Sequence, residues 1–232
     1  MIKIEPNNIY LGDSYELIKQ LPDKSIDLIL TDPPYGIGMA NGVITRFGSS
    51  PEKTRLYKGK WDNETPSKEM FNQIIRVGKK VIIFGGNYFT EKLPQSNHWI
   101  VWDKQGDIKF NNPFSACELI WTNIKRNNIK KYTYIQQGFI TEGKDERVHP
   151  TQKPLELIKN IISDYTEPND IILDTFLGSG TTAVACKELG RQYIGFEINE
   201  EYYQIAVDRL NGVTQQEKHE KENGIMNIFD FL

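Results

Sequence analysis

Ile171-Ile-Leu-Asp174-Thr-Phe176-Leu-Gly178-Ser-Gly180-Thr-Thr-Ala183 is the stretch on which the fold turns. Ile171 to Leu173 reads as a buried strand, the two glycines as a tight loop, and Thr181 to Leu189 as a helix by its apolar spacing. Gly178 and Gly180 let the backbone come close to a ligand. The helix opening at Thr181 offers free N–H groups and a positive dipole end, so loop and helix suit an anionic group. Gly-Ser-Gly-Thr-Thr-Ala also satisfies the dinucleotide pattern G-x-G-x-x-G/A, and Glu197, ending the next strand, is placed to accept from ribose hydroxyls. No Lys follows the glycines, which excludes a P-loop. Spacing alone leaves NAD and other adenosine cofactors both open.

Outward from this segment, short apolar runs alternate with helical patterns. Strands buried on both faces are expected at Asn8 to Leu11, Ile26 to Leu30, Lys80 to Phe84, Trp99 to Trp102, Glu118 to Trp121, Ile171 to Leu173 and Tyr193 to Phe196. Helices are expected at Ser14 to Leu21, Lys68 to Val77, Leu155 to Tyr165, Thr181 to Leu189 and Glu200 to Leu210. Such alternation predicts an α/β fold with a doubly wound, mostly parallel sheet.

A second strand, Ile26 to Leu30, runs into Thr31-Asp32-Pro33-Pro34-Tyr35-Gly36. The prolines stop the ladder and leave a stiff loop at the strand's carboxyl end, the edge where open α/β sheets bind ligands. Asp32 and the Pro33 carbonyl could accept the two hydrogens of a planar NH2 group, with Tyr35 as an exposed ring stacking on its face. That arrangement suits the exocyclic amine of a base.

Composition bounds the rest. The 232 residues are 38% hydrophobic and 25% charged with a net charge of -3, which excludes a disordered, collagenous or membrane class. One core, in one catalytic domain over residues 1–212, is the expectation, followed by a polar tail at 213–232 that ends in the apolar Ile225 to Leu232. Cys117 and Cys186 show no CxxC spacing and His98, His149 and His219 no ligand pattern, so neither a disulfide framework nor a metal site is expected. No apolar run approaches the roughly 18 residues of a membrane span and no signal peptide pattern opens the chain, so a cytoplasmic protein is expected. Positive charge gathers in two loops. Residues 36–60 carry Arg46, Lys53, Arg55, Lys58 and Lys60 against Glu52, and residues 123–147 carry Lys125, Arg126, Lys130, Lys131, Lys144 and Arg147 against three acids.

These motifs, in this order, resemble the S-adenosylmethionine (SAM)-dependent amino-methyltransferases of DNA, in the permuted β class where DPPY precedes FxGxG. His149-Pro-Thr-Gln-Lys-Pro154 matches the family's link into the helix before the cofactor loop, and the resemblance runs from about residue 8 to 210. Asp32 in the first motif position resembles the adenine N6 branch, since Ser is usual there in cytosine N4 enzymes. The resemblance implies that Asp32, Pro33, Pro34 and Tyr35 handle a flipped adenine. It further implies that Asp174, Phe176, Gly178 and Gly180 hold the methionine part of SAM, Glu197 its ribose and Asp13 its adenine, with Thr151, Gln152 and Lys153 near the methionine carboxylate. By the same resemblance the two basic loops would follow DNA phosphates, a homodimer is common, and a cognate restriction nuclease is an implied partner. Cytosine N4 methylation and a catalytically silent DNA-binding protein of the same fold are the alternatives. A dehydrogenase would leave Asp32 to Tyr35 without a role.

Overall fold

In the computed structural model the described residues are 3–37, 64–108, 115–137, 140–141 and 152–213. The elements run β1 (Asn8–Leu11), α1 (Ser14–Ile18), β2 (Ile26–Thr31), α2 (Lys68–Val77), β3 (Gly78–Phe84), a 3-10 turn (Gly86–Tyr88), β4 (Trp99–Asp103) and β5 (Cys117–Thr122). They continue with β6 (Lys130–Thr133), β7 (Gln136–Gln137), β8 (Ile140–Thr141), α3 (Leu155–Tyr165), β9 (Ile171–Asp174), α4 (Thr181–Glu188), β10 (Gln192–Glu197) and α5 (Glu200–Leu210). The large sheet has the order β1-β10-β9-β2-β3-β5-β4-β6. It is parallel from β1 to β3, and β5 alone runs antiparallel to both its neighbours, β3 and β4. The expected α/β, mostly parallel sheet is therefore the one observed.

Strand alternation divides the core into two layers. Leu28, Leu30, Ile82, Phe84 and Ile172 point to the face covered by α3 and by Ala185 and Cys186 of α4. Ile29, Val81, Ile83 and Leu173 point to the opposite face, under α1 and α2. Ser67 and Asn199 cap α2 and α5 by accepting from the backbone N–H groups of Met70 and Tyr202, which starts each helix at the expected residue.

The chain leaves β9 for β10 in one direction and β2 for β3 in the other, so β9 and β2, which are neighbours, form the topological switch point. Asp174 ends β9 and Asp32 follows β2, so residues 142 positions apart in sequence meet at one sheet edge.

Three expectations need correction. β1 and β4 are not buried on both faces: β1 is an edge strand and β4 alternates between buried and half-buried residues. Residues 123–147 are not all loop, since Lys130–Thr133 pairs parallel to β4 as the other edge strand. Charge hid that strand from an apolar reading, and lysines are what protects an exposed sheet edge. α1 is shorter than expected, because Gln20 and Leu21 make three-residue turns onto Leu17 and Ile18 just before Pro22. Among the described residues no helix is long and apolar enough to cross a membrane.

Candidate active site

At the switch point lies a cavity of about 350 Å³, within the roughly 300–1,000 Å³ of small-molecule sites. Its lining includes Asp13, Asp32, Asp174 and Glu197 among polar groups and Phe176, Phe196, Ile198 and Tyr202 among apolar ones.

The glycine loop forms one wall. Gly180 has φ +82° and a Cβ there would come within 2.8 Å of the Ala206 Cβ, so the loop can lie against α5 only as glycine. Glu197 is buried, and its two carboxylate oxygens accept from the backbone N–H groups of Gly178 at 2.7 Å and Asn199 at 2.8 Å. Burial raises its carboxyl above the ordinary range in spite of these bonds. Arg209 of α5 braces the loop from behind, donating to the Ser179 carbonyl at 2.6 Å and to the Thr181 hydroxyl at 3.1 Å. Nothing in the sequence singled out Arg209, whose position in an ordinary amphipathic helix resembles that of any solvated arginine.

Asp174 sits beneath the cavity, 5% exposed, and accepts from the Thr31 hydroxyl at 2.8 Å, the Thr182 hydroxyl at 2.7 Å and the Phe176 N–H at 3.1 Å. It thus ties the strand before DPPY to the glycine loop and its helix. Burial pushes its carboxyl up to about 6, three hydrogen bonds notwithstanding. A carboxyl whose folded value exceeds its unfolded one gives stability below the unfolded value and loses it as pH rises through about 6. Asp174→Asn is therefore expected to gain stability over the parent by about 1 kcal/mol more at pH 8 than at pH 5. Denaturant unfolding of the cofactor-free protein at both values checks this, and a pH-independent difference would show that Asp174 does not titrate there.

Asp13 is exposed at the cavity rim and caps α1 through the Tyr15 N–H at 2.9 Å. Phe176 packs partly into the core while lining the cavity, and buried Gln152 lines it too. Thr151 lies outside the described residues, as do most of 36–60 and the tail from 214.

The DPPY end differs from expectation in two respects. Lys153, expected near the methionine carboxylate, lines the cavity, makes an ion pair with Asp32 and lies 3.6 Å from Glu118. Tyr35, expected to present an exposed ring, is half-buried: its ring stacks on Tyr88 at 4.7 Å between centroids, and its hydroxyl is 2.6 Å from both Asp32 and Glu118. Gly85, at φ +67°, makes room for this ring, since a Cβ there would fall 2.2 Å from the Tyr35 Cε1. Burial raises Asp32 above the ordinary carboxylate range against the pull of Lys153. Burial would raise Glu118 too, but Lys153 and Lys104 outweigh it and hold its carboxyl below the usual value. Glu118 carried no sequence motif; one acid in an apolar strand gives no sign of facing inward.

The basic segment also differs. Lys130 pairs with Asp164 at 3.0 Å and Lys131 with Asp103 at 3.1 Å, so part of the positive charge of this segment meets carboxylates from α3 and β4.

The DNA methylase family model for N6 and N4 methyltransferases matches residues 87–208. The type II methyltransferase M2.LlaDCHI of Lactococcus lactis subsp. cremoris is 30% identical, over 86% of this chain and 87% of its own. The crystal structure of the M1.HpyAVI–SAM complex superposes with a TM-score of 0.58 at 27% identity, covering 88% of this chain and 98% of that one. The cytosine-N4-specific PvuII DNA methyltransferase superposes with a TM-score of 0.60 at 17% identity over 96% and 93% of the two chains, a likeness of fold alone. With its glycine loop and its DPPY loop on one cavity, the chain belongs to the N6/N4 DNA methylase family and is an S-adenosylmethionine-dependent DNA methyltransferase.

Proposed function

We propose that the enzyme methylates the N6 amine of an adenine turned out of the DNA duplex, using residues 1–212 as one catalytic unit. The observation that carries this reading is the meeting of Asp32 with Asp174 and Glu197 on one cavity at the β9/β2 switch point. The residues fit SAM. Three carboxylates, Asp13, Asp174 and Glu197, suit a cofactor bearing a sulfonium and an ammonium, and the Gly178 wall, where a Cβ would meet nothing within 4 Å, leaves space beside the loop. Glu197 takes the ribose hydroxyls, Asp13 the adenine amine, and the Phe176–Gly180 loop with Gln152 the methionine part.

When bound, SAM supplies an electrophilic methyl group. The chain's own part is positioning and electrostatics. The adenine amine is a poor nucleophile because its lone pair is delocalised into the ring. Asp32 and the Pro33 carbonyl accept its two hydrogens, which disfavours a planar nitrogen and aims the lone pair at the cavity. Pro34 keeps the loop stiff, and Tyr35, its ring stacked on Tyr88, holds Asp32 through its hydroxyl. Turning the base out costs a few kcal/mol, which contact with the pocket offsets in part. Asp32 in the first motif position supports adenine over cytosine.

Incubation with SAM and mixed-sequence duplex DNA, followed by nucleoside analysis, tests this. N6-methyladenine is the expected product. N4-methylcytosine would overturn the choice of base, and no transfer would overturn catalysis. Methylation mapping of the same DNA would give the recognition site, and digestion protection would reveal any matched nuclease.

Contact with phosphates by the 123–147 segment is reduced by the Lys130–Asp164 and Lys131–Asp103 pairs. Changing Lys130 and Lys131 together to Ala is expected to flatten the plot of log affinity against log salt by less than one phosphate contact, roughly 0.9 in slope. A loss worth two contacts would put both lysines on the DNA backbone.

A further inference from the structure

Both oxygens of Asp32 are already engaged, each by one hydrogen bond, so a target amine would share whichever oxygen it meets. Oδ1 receives the Tyr35 hydroxyl at 2.6 Å and Oδ2 the Lys153 ammonium. A phenol has one proton, yet the Tyr35 oxygen lies at the same 2.6 Å from Glu118 Oε1, so it donates to one carboxylate at a time. Lys153, with three protons to place, is 3.6 Å from that same Oε1. Glu118 is buried on β5, the antiparallel strand set between β3 and β4, and Lys104 stands 3.1 Å from its Oε2 as an ion pair not aligned for a hydrogen bond. The methyl-transfer reading gives this buried carboxylate no task.

We propose that Glu118 is a positioning residue that takes over the Tyr35 hydroxyl and the Lys153 ammonium from Asp32 when the target amine arrives, so that the amine meets an Asp32 oxygen it need not share. The handover rests on Asp32 being the amine's acceptor. It needs no large movement: the phenol proton rotates from one oxygen to another already in contact, and the ammonium closes on Oε1. Charge favours it, because Lys153 and Lys104 keep Glu118 ionised and ready to accept. The groups facing Asp32 are Lys153, Glu118 and Tyr35, with the Asp174 carboxyl behind it. Without Glu118, Tyr35 and Lys153 have only Asp32 to bond, and the amine must compete with both.

The test is single-turnover methyl transfer as a function of pH for the parent, Glu118→Gln, Tyr35→Phe and the double variant, with Asp32→Ala as control. SAM affinity by calorimetry verifies that each is folded. Glu118→Gln is expected to lower the plateau rate about 10-fold, the scale of one charged hydrogen bond. It is also expected to move the acid limb to lower pH, since Asp32 loses a negative neighbour and keeps Lys153 to itself. In the Tyr35→Phe background the loss from Glu118→Gln should shrink, because the hydroxyl to be handed over is absent. A folded Glu118→Gln protein with the parental plateau and acid limb would overturn the handover. So would an equal loss in both backgrounds with an unmoved limb, the mark of a merely structural carboxylate. If Asp32→Ala itself retains turnover, the site reading falls and the handover with it, whereas an inactive Asp32→Ala beside an unaffected Glu118→Gln sinks the handover alone.

Discussion

Asp32→Ala is expected to lower methyl transfer by about 100-fold or more at saturating SAM, the scale of losing one preorganised electrostatic contact, while SAM affinity changes little. The reason is geometric: Asp32 is engaged by Tyr35 and Lys153, whereas Glu197 is the carboxylate that holds the glycine loop through the Gly178 N–H. The substitution also strips Lys153 of its nearest carboxylate, leaving a nearly buried ammonium with Glu118 at 3.6 Å. Breaking a buried ion pair costs about 3–5 kcal/mol, so stability must be measured alongside rate. Asp32→Asn, which keeps the shape, separates the two effects. Near-parental turnover in a folded Asp32→Ala protein would remove Asp32 from the mechanism.

Glu197→Ala is expected to raise the SAM dissociation constant about 10- to 100-fold, with a smaller fall in turnover at saturating SAM. Its carboxylate does two things at once. It would accept from the ribose, and it already fixes the Gly178 and Asn199 N–H groups on either side of the cavity, so alanine loosens the wall as well as removing the acceptor. Glu197→Gln should be impaired too, because the amide's NH2 end would meet one of those two N–H donors with no lone pair. Calorimetry decides the matter, and unchanged affinity in the alanine variant would show that Glu197 is not the ribose ligand.

Both predictions use residues that were legible in the sequence, for local reasons. A strand that stops at a proline pair or a glycine loop carries its own boundary, so Asp32 and Asp174 could be placed at strand ends from local chemistry alone, while Glu197 closes the apolar run Tyr193 to Phe196. The helices over Lys68–Val77, Leu155–Tyr165 and Glu200–Leu210 were equally local, since apolar spacing and the caps Ser67 and Asn199 suffice to start two of them.

Glu118, Lys153, Lys130 and Arg209 are the opposite case. Each is a charged side chain whose partner lies far along the chain: Tyr35 is 83 residues from Glu118, and Asp32 is 121 from Lys153. Local pattern gives Glu118 and Arg209 no partner at all and assigns Lys153 and Lys130 to ligands outside the chain, because in an isolated strand or helix no distant carboxylate is in view. Insertion of β5 between β3 and β4 turns Glu118 inward, and the switch point carries Lys153 onto Asp32. By itself the sequence determined the apolar strands, the main helices, the two loops and the chemistry they carry, since backbone preference and apolar periodicity act over a few residues. Only the tertiary structure decided which charges meet, because strand order and burial bring together groups that no spacing in the chain relates.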